Sequence, residues 1–135
     1  MSKDDPGYFR KFKFSHEQII RYMDNALRDL KIAHDVAVPE VRFTYGYQAL
    51  IKAGIVLLAK TDHVRVRSVP GHHIKILTRM NEILKDPDVL TIGNVMRMKR
   101  NTDFYGGGED ITEKEAQDYL RFIKKTVEAI QKRLI

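Results

Sequence analysis

The stretch from Val41 to Leu58 is the strongest constraint on how this chain can fold. Phe43, Tyr47, Leu50, Ile51, Gly54, Ile55 and Leu58 recur at helical spacing and form an apolar stripe too wide for a helix with one buried face. A helix of this kind has to be contacted on several sides, which places it at the centre of a helical assembly. Pro39 suits its first turn, where a missing N–H costs nothing, and Ala37 and Val38 form the short link from a preceding helix. Gly46 and Gly54 lie on nearly one face of it. Each costs about 1 kcal/mol against alanine, so close approach of neighbouring helices is the reason to tolerate them.

The remaining segments supply the neighbours. Ser15 and Gln18 form a capping box, and Ile19, Ile20, Met23, Leu27, Leu30 and Ala33 predict a first helix over about 16–36. Gly71-His72-His73 opens a third helix with Ile74, Leu77, Met80, Ile83 and Leu84 on its buried face, ending before Asp86-Pro87-Asp88. A shorter fourth helix is predicted over about 88–101, its apolar positions being Val89, Leu90, Ile92, Val95, Met96 and Met98, with the methionines read as core filler. Thr112 and Glu115 make a second capping box, after which Ala116, Tyr119, Leu120, Ile123, Val127, Ile130 and Leu134 run at helical period. Between Thr61 and Gly71 valine alternates with arginine. A strand there would have no partner elsewhere in the chain, so an extended loop is predicted, with Arg65 and Arg67 on one side. Residues 1–14 are expected to form a mobile N-terminal segment without regular structure before Phe14, its rings packing onto the domain. Residues 15–135 are expected to form a single all-α, up-and-down bundle of about five helices.

Charge narrows the class of partner. Lys and Arg number 24 against 18 Asp and Glu, a net charge of +6 with a pI near 9.5, which favours polyanions without demanding them. The absence of cysteine excludes disulfides, thiolate metal sites and cysteine nucleophiles. The polar N-terminus lacks the apolar core of a signal peptide, and the longest apolar run, Gly54 to Ala59, is too short to cross a bilayer, so a cytoplasmic protein without membrane contact is expected. None of the five histidines forms a helical ligand pair, and neither metal nor cofactor is expected. His72 and His73, at a helix start, read as neutral capping or packing residues.

The candidate site lies at the end of the fourth helix, where M-R-M-K-R-N-T-D-F-Y breaks into three glycines, Gly106 to Gly108. Arg97, Lys99 and Arg100 lead into Asn101, Asp103 and Tyr105, a cationic cluster beside hydrogen-bonding groups that suits an anion such as phosphate. The same residues also read as a solvated helix end, with basic side chains complementing the helix dipole and Asp103 pairing with Arg97 or Arg100.

The run Lys99-Arg100-Asn101-Thr102-Asp103-Phe104-Tyr105-Gly106 resembles the end-of-helix motif of HEPN domains, the higher eukaryotes and prokaryotes nucleotide-binding family. Tyr45 to Ala53 resembles that family's aromatic, alanine-rich second helix, and Gly71-His72-His73 matches the opening of its third, so the similarity covers roughly 17–132. The resemblance implies a helical bundle, a homodimer joined through the fourth-helix region, a nucleotide or RNA as ligand, and a nucleotidyltransferase as partner protein in a toxin–antitoxin type pair. It also implies a metal-independent endoribonuclease motif in which an arginine is followed by a histidine. Arg100 matches the arginine, but Tyr105 stands where the histidine is expected, and no histidine follows His73. A phenol titrates too high for a general base near neutrality, whereas an imidazole is well matched. A non-catalytic binding module is therefore expected, the alternative being a divergent ribonuclease that uses Arg100 with Tyr105 or with His72 brought in spatially.

Overall fold

The computed structural model describes residues 5–101 and 111–135 in full, together with the helical backbone of 102–105. Along these residues β1 (Phe9–Lys11) precedes α1 (His16–Asp35) and α2 (Pro39–Asp62). A second strand, β2 (Val64–Val66), leads to α3 (His72–Leu84), α4 (Pro87–Tyr105) and α5 (Glu113–Arg133). The all-α bundle of five helices is present. Its centre is α2, which packs against α1, α3, α5 and β2 and buries Phe43, Tyr47, Leu50, Leu57 and Leu58 among others.

Helix ends are fixed by the local chemistry that predicts them. Ser15 with Gln18, and Thr112 with Glu115, form reciprocal capping boxes at the starts of α1 and α5. At the other end of α1, Arg42 of α2 donates from Nε to the Ala33 carbonyl at 3.0 Å and from Nη2 to the Val36 carbonyl at 2.6 Å. Those are carbonyls a helix end leaves without an intrahelical donor. The end of α2 is tied to α3 by Arg79, which grips the buried Asp62 carboxylate with two hydrogen bonds of 2.7 and 2.9 Å. Asn81 of α3 in turn accepts from the Leu90 N–H at the start of α4.

Two expectations for the irregular segments are corrected. β1 gives the chain regular structure before Phe14, and it pairs antiparallel with β2 in the register Phe9 to Val66, Arg10 to Arg65 and Lys11 to Val64. The valine–arginine alternation is therefore a strand, with Val64 buried and Arg65 exposed, and its partner is the N-terminal segment. Phe9 is buried as well, which anchors the pair to the core. This short ribbon returns the chain along α2, so α3 runs parallel to α2. Tyr47 meets His73, Gly54 meets Ile76 and Met80, and Asp62 meets Arg79. α4 then folds back antiparallel to α3, Gly93 lying on Leu77.

Other corrections concern which side chains are covered. α4 continues through Tyr105 rather than ending near Asn101. Of its methionines Met96 is core but Met98 is 55% exposed, and Val95 beside it is also exposed, as is Ile20 on α1. Gly46 and Gly54 do permit close approach, but to different helices, Gly46 facing Ile123 of α5 and Gly54 facing α3. A charge that apolar periodicity does not reveal is buried in α1: Asp29 is 1% exposed, with Oδ2 2.6 Å from Lys52 Nζ of α2. The two are in charge contact without the alignment of a hydrogen bond.

A methyl group at Gly54 would collide with the Met80 sulfur and stand 3.0 Å from Ile76 Cγ2, both fully buried. Gly54→Ala is expected to lower stability by about 1–3 kcal/mol through overpacking, in spite of the better helix propensity of alanine. Urea unfolding measures it. A midpoint equal to or above that of the natural chain would mean that α3 moves aside at no cost.

Candidate functional site

The parallel placement of α3 beside α2 brings its first turn against the last described turns of α4. Between them lies an open groove of about 800 Å³, lined by residues 68–73 on one side and by Arg97, Arg100 and Asn101 on the other. Positions 97, 100 and 101 share one face of α4, being three and four residues apart. That spacing turns a run of basic residues into a cluster aimed at a single surface.

Opposite the arginines, Gly71 adopts a left-handed conformation, φ 82°, as the N-cap of α3. Glycine enters that region without the steric cost of a side chain. No side chain caps the helix, and the His72 N–H turns back to the Val69 carbonyl at 3.1 Å. The amide donors of the first turn and the positive end of the helix dipole thus lie at the same groove as two guanidinium groups. His72 Nδ1 lies 2.8 Å from the same Val69 carbonyl. A carbonyl only accepts, so Nδ1 carries a proton, and Nε2 holds the lone pair in the neutral ring.

Behind the groove the imidazole of His73 meets the core. Its Nδ1 is 2.9 Å from the hydroxyl of Tyr47, a residue 1% exposed, and its ring lies 4.3 Å from that of His72. Burial, then His72, Arg100 and Arg97, push the His73 pKa down to about 4. Burial pushes the Tyr47 phenol up to about 12, against the pull of Arg100 and Arg97. Both groups are therefore neutral near pH 7 and add no charge beside Arg97 and Arg100. The Arg100 guanidinium also lies 5.5 Å from the centroid of the Tyr47 ring, within cation–π range.

The sequence-level candidates divide accordingly. Arg97, Arg100 and Asn101 are gathered in the groove. Arg97 donates from Nε to Asn94 at 2.9 Å and has no carboxylate partner among the described residues. Lys99 turns to α5 and pairs with Glu115 at 3.3 Å, stabilising the capping box instead of facing the groove. The side chains of Asp103 and Tyr105 lie outside the described residues, as do the three glycines, so their assigned roles there are not placed. Arg65 and Arg67 are elsewhere: Arg65 stacks over Phe12 and Arg67 donates to the Pro6 carbonyl. Tyr47, Ser68 and Gly71 lie on the groove side although the sequence did not assign them to the site, Tyr47 being read as core and Gly71 as a helix start. The helical spacing of Arg97, Arg100 and Asn101 was a usable signal for the others.

No protein-family model, curated protein or solved structure matches this chain. Among the described residues no group of three His, Asp or Glu side chains could hold a metal ion, and no helix is long and apolar enough to cross a membrane.

His73 ties stability to pH in a defined direction. Its folded pKa lies below the ordinary imidazole value, so the unfolded chain binds more protons between about pH 6.5 and 4, and stability falls as pH drops through that window. In His73→Gln, which keeps an acceptor for Tyr47, the fall should be shallower. Unfolding midpoints at pH 7, 5.5 and 4.5 test this, and parallel profiles for the two proteins would contradict the assignment.

Proposed function

We propose that the protein is a HEPN-like module that binds a phosphate-bearing ligand, a nucleotide or RNA, in the groove between the start of α3 and α4. The observation that carries this reading is the convergence of Arg97 and Arg100 on an α3 N-terminus without a side-chain cap. Guanidinium groups supply charge-assisted donors matched to phosphate oxygens, and backbone amides at a helix start add uncharged ones. His73 and Tyr47, both neutral, add no negative charge to that cationic field. Exposed Val95 and Met98, three residues apart on α4, support a homodimer formed through the fourth-helix region. A symmetric contact there would bring two such grooves near one axis. A nucleotidyltransferase as the partner protein follows from the family resemblance.

A second reading, a metal-independent endoribonuclease, is favoured by one specific feature. His72 sits in the same groove as Arg100, with its Nε2 lone pair directed away from the Val69 carbonyl that holds Nδ1. An imidazole so held could take a proton from a ribose hydroxyl while Arg100 holds the neighbouring phosphate, without any part for Tyr105.

Titration with a short single-stranded RNA, followed by fluorescence anisotropy at several salt concentrations, tests the binding reading. Arg97→Ala/Arg100→Ala should weaken binding by at least about tenfold and reduce the salt slope by about 0.7 for each phosphate no longer neutralised. Lys99→Ala should change little, since its ammonium is engaged with Glu115. Binding that survives the double substitution would refute the groove. The same RNA incubated in chelator distinguishes the second reading: cleavage lost in both His72→Ala and Arg100→Ala would make the protein an enzyme, and intact RNA would leave it a binding module.

A further inference from the structure

A second cavity lies on the other side of the returning strand, separate from the arginine groove but sharing Ser68 with it. Its volume is about 470 Å³, within the range typical of small-molecule sites. Phe14, Tyr22, Ile55 and Val66 form apolar walls, the rings of Phe14 and Tyr22 standing edge to face with centroids 5.6 Å apart. Lys52, Arg65 and Asn25 supply the polar lining.

The two cations of this cavity are not equivalent. Lys52 already faces the buried carboxylate of Asp29 at 2.6 Å. Arg65 has no carboxylate partner among the described residues and is held by aromatic faces, its guanidinium carbon 4.6 Å from the Phe12 ring centroid and 5.8 Å from that of Phe14. It also stands directly opposite Arg10 in the two-stranded ribbon. Like charges directly opposed across strands are unfavourable, and an anion beside them would relieve the repulsion. Stacking alone explains where Arg65 rests. It does not explain why a pre-positioned, uncompensated guanidinium adjoins a cavity with two aromatic walls.

We infer that the cavity between α1, α2 and β2 binds a small planar aromatic carboxylate, its ring against Phe14 and Tyr22 and its carboxylate on Arg65. The flat apolar body replaces water on the aromatic walls, and the carboxylate matches the two-pronged geometry of the guanidinium. Asn25 offers an amide to any polar substituent on the ring. The site stands independently of phosphate binding in the arginine groove.

The full chain is titrated with 2-naphthoate, following the Tyr22 ring and Asn25 amide signals by NMR, with neutral 2-naphthalenemethanol as the control ligand. The expected result is saturable binding of the carboxylate, with the neutral alcohol and the Arg65→Ala variant each weaker by about tenfold. Asn25→Trp, which fills the cavity from an exposed position, should abolish binding. Helical circular dichroism checks that both variants fold, as their exposed positions predict. Absence of saturable shifts, equal binding of the neutral alcohol, or unchanged binding to Asn25→Trp would each overturn the inference. So would loss of naphthoate binding in Arg97→Ala/Arg100→Ala with Arg65→Ala unaffected, because the ligand would then occupy the groove.

Discussion

Everything in this fold depends on burying α2 around most of its circumference. Two amphipathic helices can cover each other with one apolar stripe apiece, but a helix whose apolar positions extend round its surface needs walls on further sides. α1, α3, α5 and the β2 strand provide them. The glycines mark where two of those walls come closest: Gly46 admits Ile123 and Gly54 admits Met80, so that α5 and α3 approach the α2 backbone itself. Removing a Cβ at these points costs helix propensity and gains dispersion contacts along the packed helices.

The geometry of the groove follows from how the chain leaves α2. A tight reversal after Asp62 would have made α3 antiparallel and put its first turn at the far end of the bundle. The β2 segment instead travels back along α2, pinned by β1, and delivers the first turn of α3, with His73, beside Tyr47. α4 then reverses, so that its later turns, with Arg97 and Arg100, come level with the start of α3. Three short backbone pairings between residues 9–11 and 64–66 thereby decide which helix end the arginines face. Phe9, buried beneath the ribbon, couples that arrangement to the core.

Periodicity and capping made the helices legible in the sequence because both are local. Ser15 with Gln18 and Thr112 with Glu115 fix helix starts through partners three residues away, and the stripe of α2 announces its central place. The ribbon was not legible: its strands are three residues each and more than fifty positions apart, and pairing at that separation leaves no local signal. Asp29 was hidden for a related reason, since its counter-ion Lys52 lies on another helix. At the groove, Arg97, Arg100 and Asn101 could be found because helical spacing sets their common face, whereas Tyr47 belongs to the core stripe by pattern and meets the groove through His73 and Arg100, both distant in sequence. Lys99 was grouped with the arginines by proximity in sequence, yet it lies on a different side of α4 and meets Glu115.

The neutral pair behind the arginines bears on what the groove can hold. A protonated His73 would add a third positive charge beside Arg97 and Arg100, and its partial burial would deny it the solvation needed to carry one. Keeping it neutral concentrates the positive potential on guanidinium groups at the mouth, which cannot deprotonate at any physiological pH. Anion affinity from those groups should therefore depend little on pH above neutrality. Burial is the main cause of the lowered His73 pKa, so a bound phosphate would offset only the smaller, repulsive part and move it partway upward. The two imidazoles would answer that change differently. His73 is half-buried and engaged by Tyr47 through Nδ1, while His72 is held through Nδ1 by a carbonyl, which leaves Nε2 directed elsewhere. Both rings line the groove, but His73 is tied through Tyr47 to the core and His72 through Val69 to the loop before α3, so a ligand there would meet two imidazoles held in different ways.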